Sequence, residues 1–389
     1  MSQLSAIRPA VRLGLLFLAL IAASAILWIQ HSGSSRGLTA LPLFDFVEYW
    51  AAGRLNLHGE NPYDPARVEE LERSVGVDSE AILMWNPPWT LPLVMPLGLL
   101  DCGVARLLWM CLHLAVLIGC IDILWRLYGG AAEHRLRACI LAFAFVPTLF
   151  CLTAGQIGPL VLLGAVGFLV GIKQRRDGWA GAAAVLLAVK PHLAYLFWIA
   201  LLLWSVRQRR WAVLGGGILT GLLAVGVALL FNPHVLSQYW YTFTHQPPAQ
   251  YRSPTLGMAL RLLLGKEHFR LQFLAMVPGL AWLALHWRRY RDAWDWRERL
   301  PILLLASMVT APYGAWLFDL VVLLVPVLQR GAEVRRDNWQ LPLGVFAAFN
   351  CLAVVQLGFE AEYLYFIWMT PALLLAYVAL RQRVAAALV

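Results

Sequence analysis

Charge is scarce in this chain. Asp, Glu, Lys and Arg make up 14% of its 389 residues and apolar residues 60%, whereas a water-soluble domain carries about a quarter charged residues. That balance excludes an ordinary soluble enzyme. Cysteine is sparse as well: Cys102, Cys111, Cys120, Cys139, Cys151 and Cys351 all lie in or at the ends of apolar segments. Without a Cys-x-x-Cys pair or a matching His spacing they argue against a zinc site or a disulfide framework. No Asp-x-Asp metal signature occurs, and neither the Asp45 region nor Lys190-Pro-His192 has a second copy. The net charge of +9 sits in short Lys/Arg clusters between apolar runs, with no basic stripe or recognition motif. Nucleic acid is therefore not an expected partner, and the clusters read as topology signals.

What remains is a long series of apolar segments. With about 20 residues needed to cross a bilayer, candidate helices fall near 12–30, 104–126, 136–153, 157–173, 211–231, 270–287, 339–357 and 361–380. The first follows Arg8 and Arg12 and runs through Ala22-Ala-Ser-Ala25 to Ile29, which favours an uncleaved anchor over a signal peptide. Two further stretches, Trp179 to Trp204 and Pro301 to Leu328, are interrupted by Lys190-Pro-His192 and by Pro312-Tyr-Gly314. Broken backbone at membrane depth is tolerated only where it lines a cavity. All the basic clusters fit on one, cytoplasmic side if each broken stretch makes two short crossings and the proline-rich segment 85–100 dips in and returns, giving about twelve crossings. The expected architecture is all-α: one integral-membrane domain over 1–389, a helical first outer loop at 31–82 and a second outer loop at 232–269, with both termini inside.

The same choice gathers the unusual polar residues on the outer face. Asp45 stands among Phe44, Phe46, Tyr49 and Trp50, and an ionisable group at a membrane boundary is a functional candidate by default. A solvated loop carboxylate is the competing interpretation. Lys190 lies deep in an apolar run beside His192, and snorkelling to the interface is its alternative role. Gln156 follows Gly155 and suits a simple turn equally well. Asp319 precedes the apolar run 320–327, and the loop 244–254 supplies His245, Tyr251 and Arg252.

Taken in order, Asp-Phe-x-x-Tyr-Trp-x-Ala-Gly (45–53), Gly-x-Asn-Pro-Tyr (59–63), Asn-Pro-Pro (86–88) with Met-Pro-Leu (95–97), Gly-Gln (155–156), Lys-Pro-His (190–192) and Ala-Pro-Tyr-Gly (311–314) resemble glycosyltransferase family 87. That family belongs to the GT-C superfamily and has polyprenyl-phosphate-mannose-dependent mannosyltransferases among its members. The resemblance implies a GT-C-type fold and sugar transfer from a polyprenyl-phosphate donor to a hydroxyl of a lipid or glycan acceptor, at the outer face of a bacterial plasma membrane. It also matches Asp45 to the family's acidic general base. Several members carry His after the Ser-Pro-Tyr-x-Trp element, where this chain has Asp319.

The chemistry of the residues agrees. A carboxylate among aromatic rings has its pKa pushed up by desolvation, towards values useful for taking a hydroxyl proton. Negative charge grows on the leaving phosphate, so pre-placed cations favour the transition state; Lys190 and Arg252, with His192 or His245, are the candidates. Glu48, Tyr49, Tyr63, Gln156, Tyr313 and Asp319 are the expected substrate contacts. Neither a metal nor another cofactor is expected, and a single displacement inverts the anomeric centre. A transporter or flippase of a lipid-linked or anionic substrate is the alternative, since it too uses broken helices and buried charges. A ligase acting on a polyprenyl-diphosphate glycan is a further alternative, with its key residues expected in a late outer loop.

Overall fold

The computed structural model describes residues 45–77, 81–334, 339–359 and 362–386. The expected anchor near 12–30, the start of the first outer loop, and the basic residues Arg8, Arg12, Arg335 and Arg336 lie outside the described residues. Among those described, every regular element is a helix. Five helices are long and apolar enough to cross a bilayer: Cys102–Leu127, Trp211–Phe231, Phe269–Ala293, Gln340–Gly358 and Tyr363–Leu380. These fall where the apolar runs predict them.

The expected span 136–153 differs from that picture, because it is a pair, Ala132–Phe143 and Val146–Ala154, bent by 63°. Pro147 explains the position of the bend. It has no N–H to donate and disfavours helical backbone just before it, so it fits the first turn of a new helix and not the middle of an old one. The amide freed at Val146 is satisfied from a distant helix, donating to Asn350 Oδ1 at 2.8 Å.

The stretch 179–204 divides at Lys190 into two short apolar helical segments, Asp177–Val189 and Pro191–Arg207. A break leaves carbonyls without intrahelical partners, and inside a membrane each needs a substitute. Two come from the proline-rich segment 85–100: Asn86 Nδ2 donates to Val189 O and Trp89 Nε1 to Ala188 O, both at 2.9 Å. Asn86-Pro-Pro thus serves as the brace of the broken helix. Beneath the break, Phe168, Phe197 and Trp296 meet edge to face, with ring centroids 4.9–5.5 Å apart. Through these rings Gly158–Lys173, Tyr195–Arg207 and Trp296–Val309 form one packed body.

The helix Phe46–Leu57 is buried along nearly its whole length. It crosses Leu91–Gly98 so closely that a Cβ on Gly53 would lie 2.5 Å from Val94 O. Asn56 Nδ2 donates to Ala228 O at 3.2 Å and Asn232 Nδ2 to Glu60 O at 2.8 Å, fastening Phe46–Leu57 and the turn after it to the end of Trp211–Phe231.

Replacing Asn86 with Ala leaves the Val189 carbonyl buried and unpaired, which costs about 1–3 kcal/mol. A clear fall in the melting temperature of the detergent-purified protein is expected. An unchanged melting curve would show that water replaces the brace.

Candidate active site

Three punctuation points in the chain converge on one network. The first is the start of Phe46–Leu57, where Asp45 occupies the N-cap position and its own N–H donates to Ala154 O at 3.0 Å. Positions three and four residues on share that face of a helix, so Glu48 and Tyr49 point the same way as Asp45. The second is Gly155, which ends Val146–Ala154 in the left-handed conformation (φ 75°) that a Cβ would disfavour. Trp109 Nε1 holds the Gly155 carbonyl at 2.7 Å, and the next residue, Gln156, is thereby aimed at Asp45. The third is the break at Lys190, which turns its ammonium group out of the apolar run.

Gln156 joins them. Its Nε2 donates to Asp45 Oδ2, and its Oε1 accepts from both Tyr49 Oη and Lys190 Nζ, each at 2.8 Å. The partners decide the orientation of the amide: the NH₂ faces the carboxylate, and the carbonyl faces the cation and the phenol. Lys190 Nζ also donates to Asp319 Oδ1 at 2.7 Å, with its ammonium 4.9 Å from the Phe318 ring centroid. Asp319 is itself held by the Trp316 N–H on Oδ2 at 3.0 Å. An acid–amide–base–acid chain, Asp45–Gln156–Lys190–Asp319, results.

Two acceptances therefore use two of the three Lys190 protons, leaving one for an incoming anion. Asp45 Oδ1 likewise has no donor among the described residues, and Asp45 is only partly buried. Burial raises the Asp45 carboxyl above its ordinary pKa, while the Gln156 hydrogen bond and then the Lys190 charge pull it back. Glu48, fully enclosed, is pushed well above the usual carboxylate range, first by desolvation and then by the Asp45 charge. Two carboxyl groups one helical turn apart thus differ in surroundings: Asp45 accepts from Gln156 near a cation, whereas Glu48 is enclosed beside the Asp45 charge.

Around this chain stands an aromatic wall, of which only Tyr313 is among the residues expected from the sequence. Trp316 meets Tyr363 edge-on at 5.4 Å, Phe318 stacks on Phe150 at 6.3 Å, and Tyr313 lies 6.2 Å from Trp316. Trp316 and Phe318 closely precede Asp319 in the sequence, which is a usable signal; Tyr363 is distant in sequence from all of them and offers none. His192 packs within 6.0 Å of Tyr313, against Gly314, whose φ of 80° and lack of a Cβ admit the imidazole.

Of the residues expected at the site, Asp45, Glu48, Tyr49, Gln156, Lys190 and Asp319 come together, with His192 and Tyr313 beside them. The others stand elsewhere in this structure. Tyr63 is buried between the loops, 5.3 Å from the Tyr239 ring, with its hydroxyl donating to Asn86 O at 3.4 Å. His245 stacks on Tyr241 within its own helix, and Arg252 makes an exposed ion pair with Glu362 at 3.3 Å.

A multi-helical membrane protein with a carboxylate and a cation joined by a buried amide is the class that fold and site define. Residues 85–312, more than half of the chain, match Glycosyltransferase family 87, and the chain belongs to that family. It is also similar to a polyprenol-phosphate-mannose-dependent alpha-(1-2)-phosphatidylinositol pentamannoside mannosyltransferase of Mycobacterium tuberculosis (strain CDC 1551 / Oshkosh). The identity is 26% over 274 residues, covering 65% of this chain and 61% of that protein. No solved structure matches. Gln156 and Lys190 lie within the family match, whereas Asp45 precedes it and Asp319 follows it.

The sequence alone suggests that Lys190→Met leaves folding intact, but the structure gives Lys190 a partner, Asp319, that is 1% exposed. Breaking such a pair strands a buried charge at a cost of about 3–5 kcal/mol. Lys190→Met is therefore expected to melt well below the wild type, and Lys190→Met/Asp319→Asn to recover most of that loss. If the double variant melts no higher than the single one, the pair is not the source of the penalty.

Proposed function

We propose that the protein transfers a sugar from a polyprenyl-phosphate donor to a hydroxyl of a lipid or glycan acceptor, with inversion, at the outer face of the membrane. Family membership supports glycosyl transfer, and the name of the mycobacterial relative favours mannose on a polyprenyl phosphate. The observation that carries the mechanistic part is the Gln156 bridge. It holds a carboxylate with one open oxygen and an ammonium with one spare proton within a single hydrogen-bonded chain.

In this reading the acceptor hydroxyl donates to Asp45 Oδ1. As the acceptor oxygen bonds to the anomeric carbon, its proton passes to Asp45 and the anomeric carbon–phosphate oxygen bond breaks. The leaving polyprenyl phosphate gains negative charge, and the third Lys190 proton meets it. This interaction is stronger in the transition state than in the ground state, as catalysis requires. Asp319 serves as the fixed counter-charge that holds the Lys190 ammonium in place. Arg252 serves as a second cation for the donor only if it leaves its exposed pair with Glu362. The aromatic wall of Tyr313, Trp316, Phe318 and Tyr363 offers apolar faces to the sugar ring or the first prenyl units, and the prenyl tail lies beside the segment 85–100.

The topology proposed with this reading places both termini in the cytoplasm and about twelve crossings in the membrane, with short and broken helices making up those beyond the long spans.

Asp45→Asn keeps the shape and accepts no proton. With polyprenyl-phosphate mannose, donor binding should persist while transfer falls by at least about 10²-fold, the usual scale for losing general-base help. Glu48→Gln should be mild, because an amide resembles a protonated carboxyl in shape and in having a donor. Since Asp45 must be ionised to act and its pKa is raised, the rate should fall on the acid side at a pH above the ordinary aspartate value. Near wild-type transfer by Asp45→Asn would remove Asp45 from the base role.

A further inference from the structure

A second feature is built from residues that the Asp45–Lys190 network does not use. A cavity of about 720 Å³ opens between Arg135–Phe143, Leu324–Glu333, Gln340–Gly358 and Met369–Ala386. Its walls are aliphatic and aromatic, among them Leu305, Phe346, Phe349 and Leu373. It extends along Gln340–Gly358 from Trp339 to Leu352, about 20 Å at 1.5 Å per residue, somewhat more than half of a hydrocarbon core about 30 Å thick.

Its polar groups are concentrated at one end and are basic. Arg137 is exposed and has no partner among the described residues. Arg330 is 8% exposed; one of its nitrogens pairs with Glu333 at 2.7 Å and its guanidinium lies over the Tyr377 ring, but its buried Nε has no acceptor. An unsatisfied guanidinium N–H is costly at such a site unless an acceptor comes with the ligand. Two cations at the end of an apolar slot about as deep as one leaflet match an anionic lipid headgroup with its acyl chain.

The donor is a poorer fit to this groove. Arg137 stands at the start of the bent helix pair whose other end, Ala154, touches Asp45. Similarly, Tyr363 joins the aromatic wall, while Leu380, lining the groove, lies about 25 Å further along the helix. A lipid whose phosphate is at Lys190 does not also place it at Arg137.

We propose that this groove binds one anionic phospholipid, its acyl chain along the helices and its phosphate between Arg137 and Arg330. None of the residues that would hold the lipid belongs to the Asp45–Gln156–Lys190–Asp319 chain.

The test is native mass spectrometry of the full-length protein in detergent, mixed with equal amounts of dioleoylphosphatidylglycerol and dioleoylphosphatidylcholine. The phosphatidylglycerol adduct should dominate, and Arg137→Gln should weaken it about fivefold without changing the phosphatidylcholine adduct. Ala348→Trp, on an exposed groove position of Gln340–Gly358, should remove both by filling the slot while the melting temperature holds. Equal retention of the two lipids, or a phosphatidylglycerol preference unaffected by Arg137→Gln, would overturn the proposal. So would displacement of the bound lipid by stoichiometric polyprenyl phosphate, which would make the groove a donor-tail site.

Discussion

One side-chain amide holds the candidate site together. Gln156 accepts from a lysine and donates to an aspartate, so opposite charges are linked without touching. Direct contact would neutralise the pair and occupy the groups that chemistry needs. The amide instead fixes their spacing, polarises along one direction, and leaves an oxygen on Asp45 and a proton on Lys190 open. A hydrogen bond to a charged group contributes about 1.5–3 kcal/mol, enough to hold three side chains from separate elements in register.

Much of the surrounding fold is explained by what that amide requires. The left-handed Gly155 turns the chain so that Gln156 leaves its helix towards Asp45. The helix break exposes Lys190, and Asn86 and Trp89 absorb the carbonyls that the break strands. The turn at Gly314 brings Asp319 under the ammonium and makes room for His192. Each irregularity is costly in isolation, and each is satisfied by a partner distant in sequence. That is the pattern expected where backbone regularity has been given up for a polar network inside a membrane protein.

Asp45, Gln156, Lys190 and Asp319 were legible in the sequence because an ionisable or amide group in or beside an apolar run stands out against its background, and Gln156 and Lys190 also adjoin Gly155 and Pro191. The long spans were legible from hydropathy alone. Less visible was the 63° bend at Phe145, since a window average over 136–153 registers apolarity and not the helix-start geometry of Pro147. Tyr63, His245 and Arg252 came from loops, where no periodicity constrains direction, and the structure places them in the inter-loop seam, on Tyr241 and against Glu362. Tyr363 was invisible because its neighbours in the wall lie far away in sequence. The difference in surroundings between Asp45 and Glu48 depends on burial, which sequence spacing does not report.

The most direct test of the account is a cryo-electron microscopy structure with a non-hydrolysable polyprenyl-phosphate mannose analogue bound. A phosphate oxygen should lie about 2.7–2.9 Å from Lys190 Nζ, the length of a charge-assisted hydrogen bond. The anomeric carbon should face Asp45 Oδ1 across a gap wide enough for one hydroxyl, with the Gln156 bridge intact. A phosphate bound away from Lys190, or an anomeric carbon turned from Asp45, would contradict the central claim.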